Sequence, residues 1–188
     1  MGKKSNVFLQ EIDRRICDFI GIDTAYGETL QGQHYLEGQE FKEHTDYFEG
    51  SQLLDHDGGR GQRTYTFMIY LNEVLQGGET AFPQLNKVFS PSPGKALIWN
   101  NLNENASTNE NTMHQAHPVI KGEKTIITKW FRQTSIGIAS KKELNKHVNT
   151  YTQTGFQKSS LDKGFYKKIL NFYIENKRDF EDEFVAGN

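Results

Sequence analysis

The chain has 188 residues, 22 of them basic and 24 acidic, for a net charge of -2; that length suits one domain with a sizeable core, and the balance of charge gives no field that would draw in nucleic acid or an anionic membrane. A lone cysteine, Cys17, excludes an internal disulfide framework. No apolar run approaches the roughly 18 residues of a membrane span, and residues 1–6 lack the apolar stretch of a secretory leader, so a cytoplasmic setting is expected.

Residues 8–20 read as an amphipathic helix: Ile12, Ile16, Phe19 and Ile20 recur at helical spacing, Asp13, Arg14 and Arg15 lie between them, and Gly21 stops the run. Cys17, inside this pattern, reads as a small buried hydrophobe rather than a nucleophile. Residues 29–35 alternate as a strand, Gly38 marks a turn, and residues 41–48 form the next strand. Residues 50–62 include Asp55-His56-Asp57-Gly58-Gly59-Arg60-Gly61, a polar, glycine-rich loop expected to be mobile beside the site. This loop has neither the ligand spacing of an EF-hand nor a phosphate-cradling glycine pattern.

Residues 63–71, rich in Thr, Tyr, Phe and Ile, predict a strand. A turn is expected over 76–80, a short strand from Val88-Phe89, a second turn at Pro91-Ser92-Pro93-Gly94, and an apolar strand over 95–99. Residues 100–111 hold six asparagines and one large apolar residue, Leu102, and read as a long loop; a sequon at Asn105-Ala106-Ser107 carries little weight in such a segment. Residues 113–120 and 124–132 predict the last two strands. Short strands joined by glycine and proline turns imply a mainly β fold, a double-stranded β-helix or cupin-like jelly roll, with the N-terminal helix packed outside. Near the end, Ser159-Ser160-Leu161-Asp162 resembles a capping box, and Leu161, Phe165, Ile169, Phe172 and Tyr173 fall on one helical stripe. A C-terminal helix packed on the barrel is expected there, its aromatic stripe serving the core or a dimer contact; monomer and homodimer both stay open.

Chemistry concentrates at His44-Thr45-Asp46. In an extended strand, residues i and i+2 share a face, so an imidazole and a carboxylate converge on one point. His114 is the best third ligand. Two histidines and one carboxylate with open positions beside them form the facial triad of non-haem Fe(II) oxygenases. Lys124 lies ten residues after His114, across the turn Lys121-Gly122-Glu123. It reads either as a solvated strand-end lysine or as the cation for a carboxylate held in the pocket.

With those residues in view, the chain resembles the prolyl 4-hydroxylase-type family of 2-oxoglutarate and Fe(II)-dependent dioxygenases over about residues 10–133. The likeness rests on several separated stretches in matching order and spacing. They are Tyr35-Leu36-Glu37-Gly38-Gln39-Glu40-Phe41-Lys42-Glu43-His44-Thr45-Asp46-Tyr47-Phe48; Arg63 through Tyr70-Leu71-Asn72; Gly77-Gly78-Glu79-Thr80-Ala81-Phe82-Pro83; Val88 with Pro93-Gly94-Lys95-Ala96-Leu97; and His114 with Pro118-Val119, Gly122, Lys124 and Lys129-Trp130.

The resemblance implies that His44, Asp46 and His114 bind iron and that Lys124 binds the distal carboxylate of 2-oxoglutarate. It also implies that Tyr70 and Thr128 help hold that end, that Tyr35 lines the cosubstrate pocket, and that Arg63 and Trp130 lie near the substrate. Fe(II), 2-oxoglutarate as cosubstrate and O2 are the implied cofactors, with ascorbate as a further candidate. Three positions depart from the family pattern: His117 stands where a smaller residue is common, Thr125 where a tryptophan is common, and His34 where an arginine is frequent, a change expected to alter substrate approach. His117 reads as structural, facing away from His114, and the first part of the usual catalytic domain is expected to be missing or short. Residues 1–139 are expected to form the catalytic domain and 140–188 a helical extension on it.

The expected reaction is hydroxylation of an unactivated C–H bond of a peptidyl proline, coupled to oxidative decarboxylation of 2-oxoglutarate to succinate and CO2. The expected partner is a peptide or protein substrate. The same chemistry on another side chain, a free amino acid or a small metabolite is the alternative. A non-catalytic, metal-binding cupin-like module would not need both the triad and Lys124, and a zinc hydrolase would need a general base that the pattern lacks.

Overall fold

A computed structural model describes residues 7–56, 58–135 and 159–160 of the chain. Its helices are α1 (Val7–Ile20) and the short α2 (Gln52–His56); its strands are β1 (Gln31–Tyr35), β2 (Phe41–His44), β3 (Arg63–Tyr70), β4 (Gln76–Gly77), β5 (Thr80–Phe82), β6 (Lys87–Phe89), β7 (Lys95–Asn100), β8 (His114–Ala116), β9 (Val119–Lys121), β10 (Lys124–Arg132) and β11 (Ser159–Ser160). Antiparallel pairing builds a five-stranded sheet in the order β1-β10-β3-β7-β11, a four-stranded sheet β2-β8-β5-β6, and a β4-β9 pair. This is the expected double-stranded β-helix, with inward-facing side chains of the two larger sheets meeting around a cavity.

The period-two alternation of β3 explains how the large sheet is covered on both sides. Phe67 and Ile69, followed by Leu71, join Ile12, Ile16, Cys17 and Ile20 of α1 in an outer core, while Met68 and Tyr70 join Tyr35, Phe82, Leu97, Trp99 and Ile126 in an inner one. The buried arc of α1 runs toward Cys17. Phe19 stands at its edge, 45% exposed, with its ring edge-on to Phe67 at 6.2 Å. β10 is buried at all nine of its positions because α1 packs on one face and the cavity lies on the other.

Several expected elements differ from those found. The strand over 41–48 ends at His44, and Asp46 lies in a bend beyond it; the β2–β8 register slips between Phe41 and His44, and among the described residues no ladder extends past His44. The loop over 50–62 contains α2, and Gln62 closes it, its amide bonding both the N–H and the carbonyl of Phe48.

The turn expected over 76–80 is instead β4, a Gly78-Glu79 link, and the start of β5. The strand expected over 113–120 divides into β8 and β9, which lie in different sheets. Pro118 has no N–H to continue a ladder, and its carbonyl accepts from Gly78 N. Gly77 sits at φ +81° with its α-carbon so close to this strand that a Cβ would lie 2.3 Å from the Pro118 oxygen. Ser159-Ser160, expected in a capping box, pair with Ala96 and Lys95 at the edge of the large sheet; the C-terminal helix expected after them lies outside the described residues. Among the described residues no helix is long and apolar enough to cross a membrane.

Candidate metal centre and cavity

His44 and His114 are direct cross-strand partners on β2 and β8, and their ring centroids are 4.3 Å apart. Asp46 reaches the same point from the bend after β2. The three offer ligand atoms within 4.8 Å of one another. His44 and Asp46 thus converge as expected, but not as i, i+2 neighbours on one strand face: the sheet register joins the two imidazoles, and the carboxylate arrives from the bend beyond β2.

Each imidazole is held by a backbone carbonyl. His44 Nδ1 meets Lys42 O at 2.7 Å, and His114 Nδ1 meets Thr112 O at 2.8 Å. A carbonyl only accepts, so Nδ1 carries a proton in both rings, and Nε2 is the atom left to bind a metal. Phe82 stacks on His114 at 5.3 Å and the Trp99 ring stands edge-on to it at 4.9 Å, which restricts its rotation. Burial, reinforced by the neighbouring His114, draws His44 down to about 4, so this ring is neutral at ordinary pH. Burial alone would raise Asp46, but the two imidazoles and a 2.7 Å hydrogen bond from Thr66 Oγ1 hold it below the usual carboxylate range. Two imidazoles whose Nε2 atoms are left for a metal and a carboxylate held below its usual range make up the donor set of an Fe(II) facial triad, and the residues fit it.

A cavity of about 300 Å³ runs from this centre into the barrel. Its floor follows from the register of the large sheet. Trp130, Thr66 and Trp99 form one cross-strand row beneath the triad; Gln31, Thr128, Met68 and Leu97 form the next; Gln33, Ile126 and Tyr70 follow, and then Tyr35 with Lys124. The lining includes Gln33, Tyr35, Met68, Ile126, Thr128, Trp130, Trp99, Arg63 and Lys124 from this side, and Phe41, Thr45, Thr80 and Ala116 with the triad from the other.

Lys124 is 1% exposed and not a solvated strand-end residue. Its Nζ donates to Gly78 O at 3.2 Å and stands 4.3 Å from the Tyr35 ring centre. Burial brings it down to about 7, against the attraction of Glu79. Thr128 lines the cavity directly. Tyr70 stands one layer back: its hydroxyl donates at 2.6 Å to Thr80 Oγ1, and Thr80 faces the cavity. Arg63 lies at the cavity wall, its guanidinium 4.0 Å from the Trp130 ring centre and 5.0 Å from that of Phe48, in a bidentate pair with Glu28 at 2.9 Å.

His34, expected to alter substrate approach, points away from the cavity. Its neighbours Gln33 and Tyr35 face inward, and its Nδ1 lies 2.9 Å from Thr125 Oγ1, the cross-strand partner. Two departures from the family pattern thus contact each other on the outer face. His117 is outside the cavity lining as well, 3.5 Å from Glu79. Thr66 and Thr80 were missed in the sequence; the alternation of 63–70 carried a signal for Thr66, whereas Thr80 lay in a segment read as a turn.

Residues 30–132 match a family model described as the 2OG-Fe(II) oxygenase superfamily. The chain is 34% identical over 141 residues to "Probable prolyl 4-hydroxylase 3" of Arabidopsis thaliana, covering 65% of this chain and 48% of that protein. It is 32% identical over 129 residues to "Prolyl 4-hydroxylase subunit alpha-1" of Bos taurus, covering 68% and 24%. The chain thus spans about half the length of the Arabidopsis relative and less of the bovine one. Among solved structures, the viral collagen prolyl hydroxylase from Paramecium Bursaria Chlorella virus-1, in its 2OG complex, superposes with a TM-score of 0.58 at 25% identity, covering 70% of this chain and 76% of that one.

Proposed function

The chain belongs to the 2OG-Fe(II) oxygenase superfamily, and on that premise we propose that it is a 2-oxoglutarate- and Fe(II)-dependent dioxygenase hydroxylating a peptidyl proline. The observation that carries the reading is one cavity with His44, Asp46 and His114 near one end and a buried lysine, Lys124, further in. Relatives named prolyl 4-hydroxylases support proline as the target and a peptide or protein as the partner.

His44, Asp46 and His114 would hold the metal, which with 2-oxoglutarate supplies oxidative decarboxylation to succinate and CO2 coupled to C–H hydroxylation. Lys124, protonated, would meet the distal carboxylate of 2-oxoglutarate, with Thr128 and Thr80 lining the same cavity and Tyr70 fixing the Thr80 hydroxyl. Tyr35 sets one face of that compartment against the ammonium. Arg63 and Trp130 form a stacked cation–aromatic surface at the cavity wall, suited to a peptide backbone passing over it. Orientation of the reacting carbon, and exclusion of water by the aromatic lining, are the protein's contribution to rate.

The test is incubation of the full chain with Fe(II), 2-oxoglutarate, O2 and a library of proline-rich peptides. Succinate should form in step with the gain of one oxygen atom on proline, read by mass spectrometry. Oxygen gained on another side chain, a free amino acid or a small metabolite would keep the chemistry and replace the substrate.

A further inference from the structure

We propose that the asparagine-rich segment after β7 is the outer support of the metal centre, and that Thr66, Asn101, Asn109 and Thr112 are positioning residues that couple Asp46 to His114. The inference rests on the metal-binding part of the reading above.

Asp46 sits past the end of β2, where no ladder among the described residues holds its backbone, so the place of its carboxylate depends on what bonds it. Thr66, wholly buried, donates to Asp46 Oδ2 at 2.7 Å. An ionised carboxylate only accepts, and a threonine hydroxyl has one proton. Thr66 Oγ1 can then take a further hydrogen bond only as an acceptor. Asn101, also wholly buried, supplies it: Nδ2 donates to Thr66 Oγ1 at 2.9 Å. Direction is thereby forced along the chain, and the amide must present its NH2 end. Its oxygen is buried and has no hydrogen-bond partner among the described residues, so the bond to Thr66 is what an amide supplies here.

The path continues through the backbone. Asn101 O accepts from Asn109 N at 2.9 Å, and Asn109 O accepts from Thr112 Oγ1 at 2.7 Å and Thr112 N at 3.0 Å. Thr112 O then accepts from His114 Nδ1 at 2.8 Å. Hydrogen bonds linked through the covalent frames of Asn101, Asn109 and Thr112 therefore connect the carboxylate of the centre to one of its imidazoles. Loss of the Thr66 or Asn101 link frees the Asp46 carboxylate to rotate and leaves the global fold in place.

The probe is Co(II) alone on the full chain, with affinity measured by calorimetry, the ligand field read from visible absorption, and the melting temperature of the metal-free protein followed in parallel. Partners of metal ligands typically contribute about 10–100-fold to affinity. Thr66→Val should weaken Co(II) binding about tenfold or more, and Thr66→Ser, which keeps the hydroxyl, should stay within about threefold of the parent. Asn101→Asp sets a second carboxylate against the same single proton; it should weaken binding about tenfold and shift the Co(II) absorption. A Thr66→Val or Asn101→Asp protein that melts cooperatively, binds Co(II) like the parent and keeps its spectrum would overturn the proposal; if Thr66→Val fails to fold, Thr66→Ser and Asn101→Asp decide it. Failure of the parent chain to bind Co(II) would remove the metal centre itself, whereas parental binding with indifferent variants removes only the support role.

Discussion

Lys124 Nζ lies 4.3 Å from the centre of the Tyr35 ring, and its hydrogen bond goes to the carbonyl of Gly78 rather than to a carboxylate. Burial without a close counter-ion is what lowers this amine to about 7. A dicarboxylate entering the cavity would supply the missing charge and raise the pKa again. Affinity for 2-oxoglutarate should therefore be greatest below pH 7 and fall above it, by up to about tenfold per pH unit. Isothermal titration between pH 6 and 9 checks this; a flat profile would separate Lys124 from the cosubstrate.

The same lysine should leave a mark on stability. Its folded pKa lies below the unfolded value, so above pH 7 the unfolded chain holds more protons than the folded one. Stability from this group then rises with pH, by at most about 1.4 kcal/mol per unit. Lys124→Met should abolish that rise, seen as a smaller gain in urea midpoint from pH 7 to 9 than in the parent, and should weaken 2-oxoglutarate binding by about 1.5–3 kcal/mol.

Glu28 joins Arg63, at the cavity wall, to Arg132. It pairs with Arg63 and also with Arg132, at 3.1 Å. Burial pushes its carboxyl up, but the two guanidiniums more than reverse this and hold it below its ordinary value. Glu28→Gln should lower stability by about 1–3 kcal/mol at pH 7. A depressed carboxyl loses its contribution as pH falls through the folded pKa, so the gap between variant and parent should close in acid below about pH 4. Denaturant titrations at pH 7 and pH 3.5 give both numbers.

Gly77, the last residue of β4, precedes the Gly78 whose carbonyl accepts from Lys124. Its φ is +81°, and an added Cβ would lie 2.3 Å from Pro118 O and 2.8 Å from Ile120 N, both backbone atoms. Gly77→Ala combines left-handed strain with overpacking and should destabilise by about 2–4 kcal/mol. Chemical denaturation measures it, and a loss below about 0.5 kcal/mol would mean that the β4–β9 pair yields easily.

Periodicity made the long strands and α1 legible, because alternation in residues 63–70 and the recurrence of Ile12, Ile16 and Ile20 come from single faces buried in a core. His44, Asp46, His114 and Lys124 were visible as types at suggestive spacings, yet the geometry that unites them was not. The cross-strand pairing of His44 with His114 depends on register between elements far apart in the chain, and the Asp46 carboxylate takes its hydrogen bond from Thr66 on another strand. Pattern along one segment carries neither. The asparagines at 101 and 109 looked like loop composition because hydrogen bonds that run between segments leave no periodic trace. Lys124 could not be assigned to solvent or interior from its neighbours alone, since burial on β10 follows from the layers on either side of it.

Anaerobic titration of the full chain with Fe(II) and then 2-oxoglutarate tests the account at its centre. Chelation of a keto acid at iron held by His44, Asp46 and His114 should produce a charge-transfer band in the visible, and His114→Ala and Asp46→Ala should each lack it while remaining folded. A folded parent chain without the band, or an undiminished band in either variant, would contradict the assignment of these three side chains to one iron.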